Sequence, residues 1–270
     1  MSLFWDALHM GFMQRAMLAG TFVAVSCACL GLFMVLRRQA MIGDGLAHFT
    51  FAAVGLGLFL GAAPLLLALP LVMAASLLIL HVPERTGLLG DSAIGMISAL
   101  GLAGGVLLAG LGQGIHVDLL GYLFGDILAV SRMETILAIL ASFFVVGLIV
   151  LNYHDLFALT FDPVLAKISG VRTERLMRLM AVLVAVTVVL GVRVVGTLLI
   201  SGLLVFPAAT ALQVARRFRT ALVLAALIGA ASVLLGITVA FLLDLPAGAA
   251  IILLNAVFFG LALVIRRIGA

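Results

Sequence analysis

Met41-Ile42-Gly43-Asp44-Gly45-Leu46-Ala47-His48-Phe49-Thr50 leads straight into an apolar run that ends near residue 62. An aspartate and a histidine therefore stand at the head of a segment long enough to sit in a bilayer. They are four residues apart, and on a helix that spacing puts both side chains on one face, one turn from each other. A carboxylate and an imidazole so placed can share a divalent cation such as zinc or manganese. Ionisable groups in or beside a span are costly, which makes the pair a candidate functional site. The plainer alternative has Asp44 capping the helix and His48 resting among lipid headgroups.

Composition around this stretch points the same way. The chain has 270 residues, 66% of them hydrophobic and 10% charged, with a mean hydropathy of +1.41. No soluble core needs that much apolar sequence, so the expected fold is an all-α polytopic membrane protein, residues 1–270 forming one transmembrane domain in the lipid bilayer. A pI near 9.8 suggests nucleic acid in a soluble protein. Here the basic residues read as loop anchors on the cytoplasmic side, and no nucleic-acid partner is expected. Met1 leads quickly into apolar sequence without an Ala-x-Ala pattern, so no removable signal peptide is expected. Cys27 and Cys29 lie two apart on one helix and point away from each other, which argues against a disulfide or a shared metal.

About nine apolar runs approach the length needed to cross the membrane, near 16–36, 47–62, 64–82, 93–111, 134–152, 176–192, 194–213, 220–243 and 247–265. The joins near 62–64 and 192–194 predict tight helical hairpins. Gly101, Gly104 and Gly105 suit close helix packing. With the N-terminus outside and the C-terminus cytoplasmic, twelve of the fifteen Lys and Arg residues fall on the cytoplasmic side, leaving Arg15, Arg132 and Arg193 outside.

Three further stretches carry signals. Residues 113–133 hold an apolar part of about a dozen residues, too short to cross, which predicts an outer re-entrant helix with Tyr122 and Phe124 in the aromatic belt. In the polar stretch 153–175, Asp162-Pro163 followed by Gly170 predicts a short helix: Asp162 as N-cap, Pro163 first, Gly170 as stop. Such a helix is either a docking element or an ordinary loop with one helical turn. Gly196 to Ala211 reads as a span with Pro207 inside it, whose freed backbone near Leu203 a hydroxyl such as Ser201 can satisfy. Broken helices of this kind often line cavities in transporters.

Taken together, Gly43-Asp44-x-x-Ala47-His48, Tyr122-Leu123-Phe124-Gly125-Asp126-x-Leu128-Ala129-Val130 and Gly196-Thr197-Leu198-Leu199 through Pro207-Ala208-Ala209-Thr210-Ala211 resemble the permease subunits of zinc/manganese ABC importers. These are the ABC-3 metal-uptake permeases, and the likeness leans to the zinc-uptake branch. It covers residues from about 10 to 265. The resemblance implies a fold related to the B12 and siderophore importer permeases, working as a homodimer in the bacterial cytoplasmic (inner) membrane. It implies a cytoplasmic ATP-binding subunit that hydrolyses ATP, so that the chain itself is no enzyme, and an extracytoplasmic metal-binding protein. Zinc, or else manganese, is then the transported substrate, with no permanently bound cofactor. Asp44 and His48 match the family's metal-coordinating pair. Asp162, Pro163, Ala166 and Gly170 match its ATPase-coupling helix, although Val164 stands where many relatives carry an acid. Tyr122 and Asp126, with Ser201 and Pro207, fall on the outer gate or pathway. Asp244, Pro246 and Gly248 resemble a turn in which Asp244 caps the last span.

Two other functions compete. Asp44 and Asp126 as the dyad of an intramembrane aspartyl protease would have to share a proton, but the expected topology sets them most of a bilayer apart. An ATP-independent cation carrier or channel fits the lack of any Gly-x-x-x-x-Gly-Lys-Ser/Thr motif, which leaves energy to a partner or a gradient. Neither His-Glu-x-x-His nor Cys-x-x-Cys occurs, which argues against a zinc hydrolase. His116 and Asp118 flank the outer re-entrant segment, either helping to receive metal or as plain solvated loop residues, and His81 and His154 read as interface anchors.

Overall fold

The structure, a computed structural model, describes residues 11–87, 90–111, 125 and 131–268. Every regular element among them is a helix. In chain order they are α1 (Gly11–Leu36), α2 (Ile42–Phe59), α3 (Pro64–Thr86), α4 (Gly90–Leu111), α5 (Arg132–Leu151), α6 (Tyr153–Phe161), α7 (Pro163–Ile168), α8 (Thr173–Val195), α9 (Thr197–Val214), α10 (Phe218–Leu243) and α11 (Ala247–Ile268). The expected re-entrant helix, with Tyr122 and Asp126, lies outside the described residues. Among the described residues eight helices are long and apolar enough to cross a bilayer, and α9 contributes a shorter apolar segment, Ile200–Val214.

The helix ends follow from local chemistry. Pro64 opens α3 and Pro163 opens α7, where a missing N–H costs nothing. Ser131 and Glu134 form a reciprocal capping box at the start of α5. A single residue, Gly196 with φ 95°, joins α8 to α9. The tight join expected near 192–194 is real but sits at the glycine, whose lack of a Cβ permits the reversal.

Asp244 does something other than expected. It takes left-handed backbone angles, φ 52° and ψ 46°, and ends α10, its N–H donating to the Ala240 carbonyl. Its carboxylate caps nothing among the described residues, so it stops the helix before it rather than starting the one after.

α1 is central. It packs against α5, α8, α9 and α10, and Ala19, Ala24, Ala28 and Gly31 keep its surface small enough for close approach. Cys27 and Cys29 are free thiols buried in this core. α4 and α11, by contrast, leave Leu100, Leu107, Leu253 and Val257 exposed. An apolar surface of that kind belongs against lipid or a partner helix.

The two ends of the bundle differ. At one end Phe33 of α1, Tyr153 and Phe161 of α6 and Phe218 of α10 form an aromatic cluster, with the Arg219 guanidinium 5.6 Å from the Tyr153 ring. Met34, Arg37, Ile42, Leu80 and Met177 meet there too. This is the arginine-rich end, and burial lowers the Arg37 pKa from its ordinary value, though a guanidinium stays charged. At the opposite end Met13, Asp244 and Pro246 line a common cleft, and Arg193 pairs with Glu134.

Candidate functional site

Asp44 is the third residue of α2 and His48 lies one turn further along. Asp44 Oδ2 stands 3.7 Å from His48 Nε2. Two donors on one tetrahedral zinc, each at about 2.0–2.1 Å, are about 3.4 Å apart. The pair is therefore a few tenths of an ångström from the separation a shared cation imposes. Asp44 makes no side-chain cap bond, the N-cap position being Met41. The capping alternative is not what the carboxylate does. It lies in the first turn, where the helix dipole favours negative charge.

The other imidazole nitrogen, Nδ1, is buried with no hydrogen-bond partner among the described residues. A buried ring nitrogen without a protein partner is costly. Side-chain exposure is 17% for His48 and 32% for Asp44, so the pair sits neither in the core nor free in water.

Neighbouring helices reach the pair through glycines. A Cβ on Gly101 of α4 would collide with the backbone of His48 and Phe49, so α4 lies directly on α2 at the histidine. A Cβ on Gly45 would meet Ile94 of α4 at 2.8 Å. A Cβ on Gly43 would collide with the side chain of Leu204, and one on Gly31 with the Leu204 carbonyl. Leu204 of α9 is thus wedged between α1 and the first turn of α2. Sequence reading picked out Gly101 as a packing residue but not Leu204, since a leucine in an apolar run carries no local signal.

The remaining pathway candidates are on α9. Ser201 is half-buried and Pro207 buried, one turn either side of Leu204. Ser201 makes no hydrogen bond that relieves the proline. The Thr210 hydroxyl donates to the Phe206 carbonyl at 2.6 Å, not to the Leu203 carbonyl that Pro207 leaves without its helical donor. His116, Asp118, Tyr122 and Asp126 lie outside the described residues.

With an acid–imidazole pair set on a tightly packed membrane helix, the comparisons with known proteins become decisive: residues 9–266 match the ABC 3 transport family. The chain belongs to that family. It is 32% identical to the manganese transport system membrane protein MntC of Halalkalibacterium halodurans, over 97% of this chain and 90% of that one. It is 30% identical to the high-affinity zinc uptake system membrane protein ZnuB of Haemophilus influenzae, over 93% of this chain and 97% of that one. Among solved structures it superposes on PsaBC from Streptococcus pneumoniae with a TM-score of 0.88 at 29% identity, covering 97% of this chain and 94% of that one.

In this ABC 3 permease the short helix expected after residue 162 is present. Asp162 Oδ1 accepts from the Val164 N–H at 3.1 Å and the Leu165 N–H at 2.9 Å. At its other end the Val171 N–H donates to Ala166 and the Gly170 N–H to Lys167, with Gly170 at φ 88°. Both bonds of a Schellman stop are made. Ala166 does not face outward: it is 2% exposed, whereas Val164, Leu165 and Ile168 project from the surface. Ahead of α7 lies α6, in the part of the polar stretch 153–175 for which the sequence reading named no element. Its Leu156 and Leu159 are buried, while its aromatic side chains join the Phe218 cluster.

Proposed function

We propose that this ABC 3 chain is the membrane subunit of an ATP-driven importer that carries a divalent transition metal into the cytoplasm, with Asp44 and His48 as its transit ligands. The observation that carries the reading is their 3.7 Å separation on a helix whose packing, at Gly43 and Gly101, fixes where both side chains stand. Two ligands from one chain hold a cation less tightly than the four of a structural zinc site, as a transit site requires. The carboxylate offsets part of the cost of bringing a divalent charge out of water. His48 ligates only when neutral, so metal and proton compete for the same ring.

Relatives are named for manganese and for zinc, and one imidazole with one carboxylate suits both. Zinc is the first candidate and manganese the second. In this reading the arginine-rich end faces the cytoplasm, the N-terminus lies outside and the C-terminus inside. The exposed apolar residues of α7 then meet an ATP-binding subunit, and an extracytoplasmic metal-binding protein docks at the other end. Two copies pair, and each acts as one transmembrane unit.

The test is uptake by vesicles holding this chain, its ATP-binding subunit and the loaded metal-binding protein, with zinc and manganese compared. Accumulation that needs ATP and falls more than tenfold in Asp44→Ala and His48→Ala, both still assembled, is the expected result. Full accumulation in either variant overturns the site, and accumulation without ATP overturns the importer.

A further inference from the structure

An apolar groove of about 350 Å³ lies between the second half of α9, α10 and α11, walled by Val214, Leu227, Ala231, Phe258 and Ile265. Leu227, Val214 and Ile265 are exposed along it, so it opens on the outside of the bundle. Thr210 also lines it, but its hydroxyl is tied to the Phe206 carbonyl and offers the groove no donor. Between Phe258 and Ile265 the groove follows α11 for about 10 Å at 1.5 Å per residue. That fits within one leaflet, whose share of the hydrocarbon is about 15 Å.

The groove has a charged mouth. Val214 and Ile265 are its last lining residues on α9 and α11, and the chain continues from them into Arg216 and Arg217 and into Arg266 and Arg267. Arg266 is held at the mouth, its Nη1 donating to Gln213 Oε1 at 2.5 Å. All four arginines are exposed, and none pairs with a carboxylate among the described residues. From residue 196 to residue 268 the chain has one acidic side chain, Asp244, which stops α10 at the opposite end of the bundle.

We propose that this groove binds an anionic phospholipid, with one acyl chain along Leu227, Ala231 and Phe258 and the phosphate among Arg216, Arg217, Arg266 and Arg267. The apolar slot selects a lipid over a soluble phosphate. The unneutralised guanidiniums select an anionic headgroup over a zwitterionic one, as basic clusters at the ends of membrane helices do. The site is separate from Asp44 and His48 and does not depend on which ion is carried.

The test is native mass spectrometry of the full-length permease equilibrated with equal amounts of phosphatidylglycerol and phosphatidylcholine. Phosphatidylglycerol is expected to be retained over phosphatidylcholine by about tenfold or more, with Arg266→Gln and Arg267→Gln each lowering that preference by about fivefold. Ala231→Phe, which fills the slot from α10, is expected to abolish selective retention. Equal retention of both lipids, unchanged by the arginine variants, overturns the proposal. So does a disulfide between Leu227→Cys residues of two copies that forms and excludes lipid, since a second copy then covers the groove.

Discussion

Arg193 Nε donates to Glu134 Oε1 at 2.8 Å, joining the last turn of α8 to the first turn of α5 across a sequence separation of 59 residues. The other carboxylate oxygen of Glu134 accepts the Ser131 N–H at 2.8 Å. One side chain therefore caps its own helix and ties it to a second. Glu134→Gln keeps a capping group and removes the charge, whereas Glu134→Ala removes both. Hydrogen bonds to charged groups are worth about 1.5–3 kcal/mol. In a chain of this size each kcal/mol moves the melting point by about 2–4 °C. Glu134→Ala should lower the apparent Tm in detergent by several degrees, and Glu134→Gln by less. Equal shifts would mean that the cap alone matters and the link to α8 does not.

Gly101 and Gly104 of α4 differ in what a methyl group would meet. At Gly101 it strikes the His48–Phe49 backbone, while at Gly104 its nearest neighbour is Ala52 Cβ at an ordinary 3.5 Å. Backbone cannot swing aside as a side chain can, and overpacking of this kind costs about 1–3 kcal/mol. Gly101→Ala should displace α4 from α2 and reduce metal uptake severalfold with both ligands intact. Gly104→Ala should transport normally. If Gly101→Ala matches wild type in uptake and Tm, α4 does not set the position of His48.

Leu204 gives a sharper version of the same argument. Its side chain packs on Gly43 and its carbonyl on Gly31, so α9 bears on the turn that carries Asp44. Leu204→Ala opens space at Gly43, one residue before Asp44, without touching either ligand. Loss of a buried leucine costs about 2–5 kcal/mol in a core that relaxes poorly. Uptake should fall through a weaker apparent affinity for metal, readable as a raised half-saturation concentration. An unchanged half-saturation value with a lower maximal rate would place Leu204 in α9 movement instead of ligand positioning.

What the sequence disclosed and what it hid follow from range. Span lengths are set by the bilayer, so apolar runs alone placed the long helices. Asp44 with His48, and Asp162-Pro163 with Gly170, are local spacings whose meaning survives without tertiary information. α6 stayed hidden because His154 and Asp155 stand just ahead of its buried Leu156 and Leu159, at the start of the stretch 153–175 that reads as polar. Asp244 before Pro246 fits a helix start as well as a helix stop, and only the backbone angle decides. Leu204 on Gly43 and Arg193 on Glu134 are long-range pairings, and nothing near any of those residues announces its partner.

α7 separates residues that hold the helix from residues that face out of it. Asp162 supplies two cap bonds, so Asp162→Ala should cost about 1 kcal/mol and loosen the whole element. Ala166 is buried at 2% exposure while Ile168 is 78% exposed. A larger side chain at Ala166 should disturb the packing of α7 on the bundle and lower the apparent Tm. Ile168→Ser should leave the Tm of the isolated permease unchanged, because that side chain gives up few contacts within the chain. If α7 meets the ATP-binding subunit through its outward face, Ile168→Ser and Leu165→Ser should weaken co-purification of that subunit and cut metal-stimulated ATP hydrolysis severalfold. The same two variants with full co-purification and full hydrolysis would show that the ATP-binding subunit docks elsewhere on the arginine-rich end.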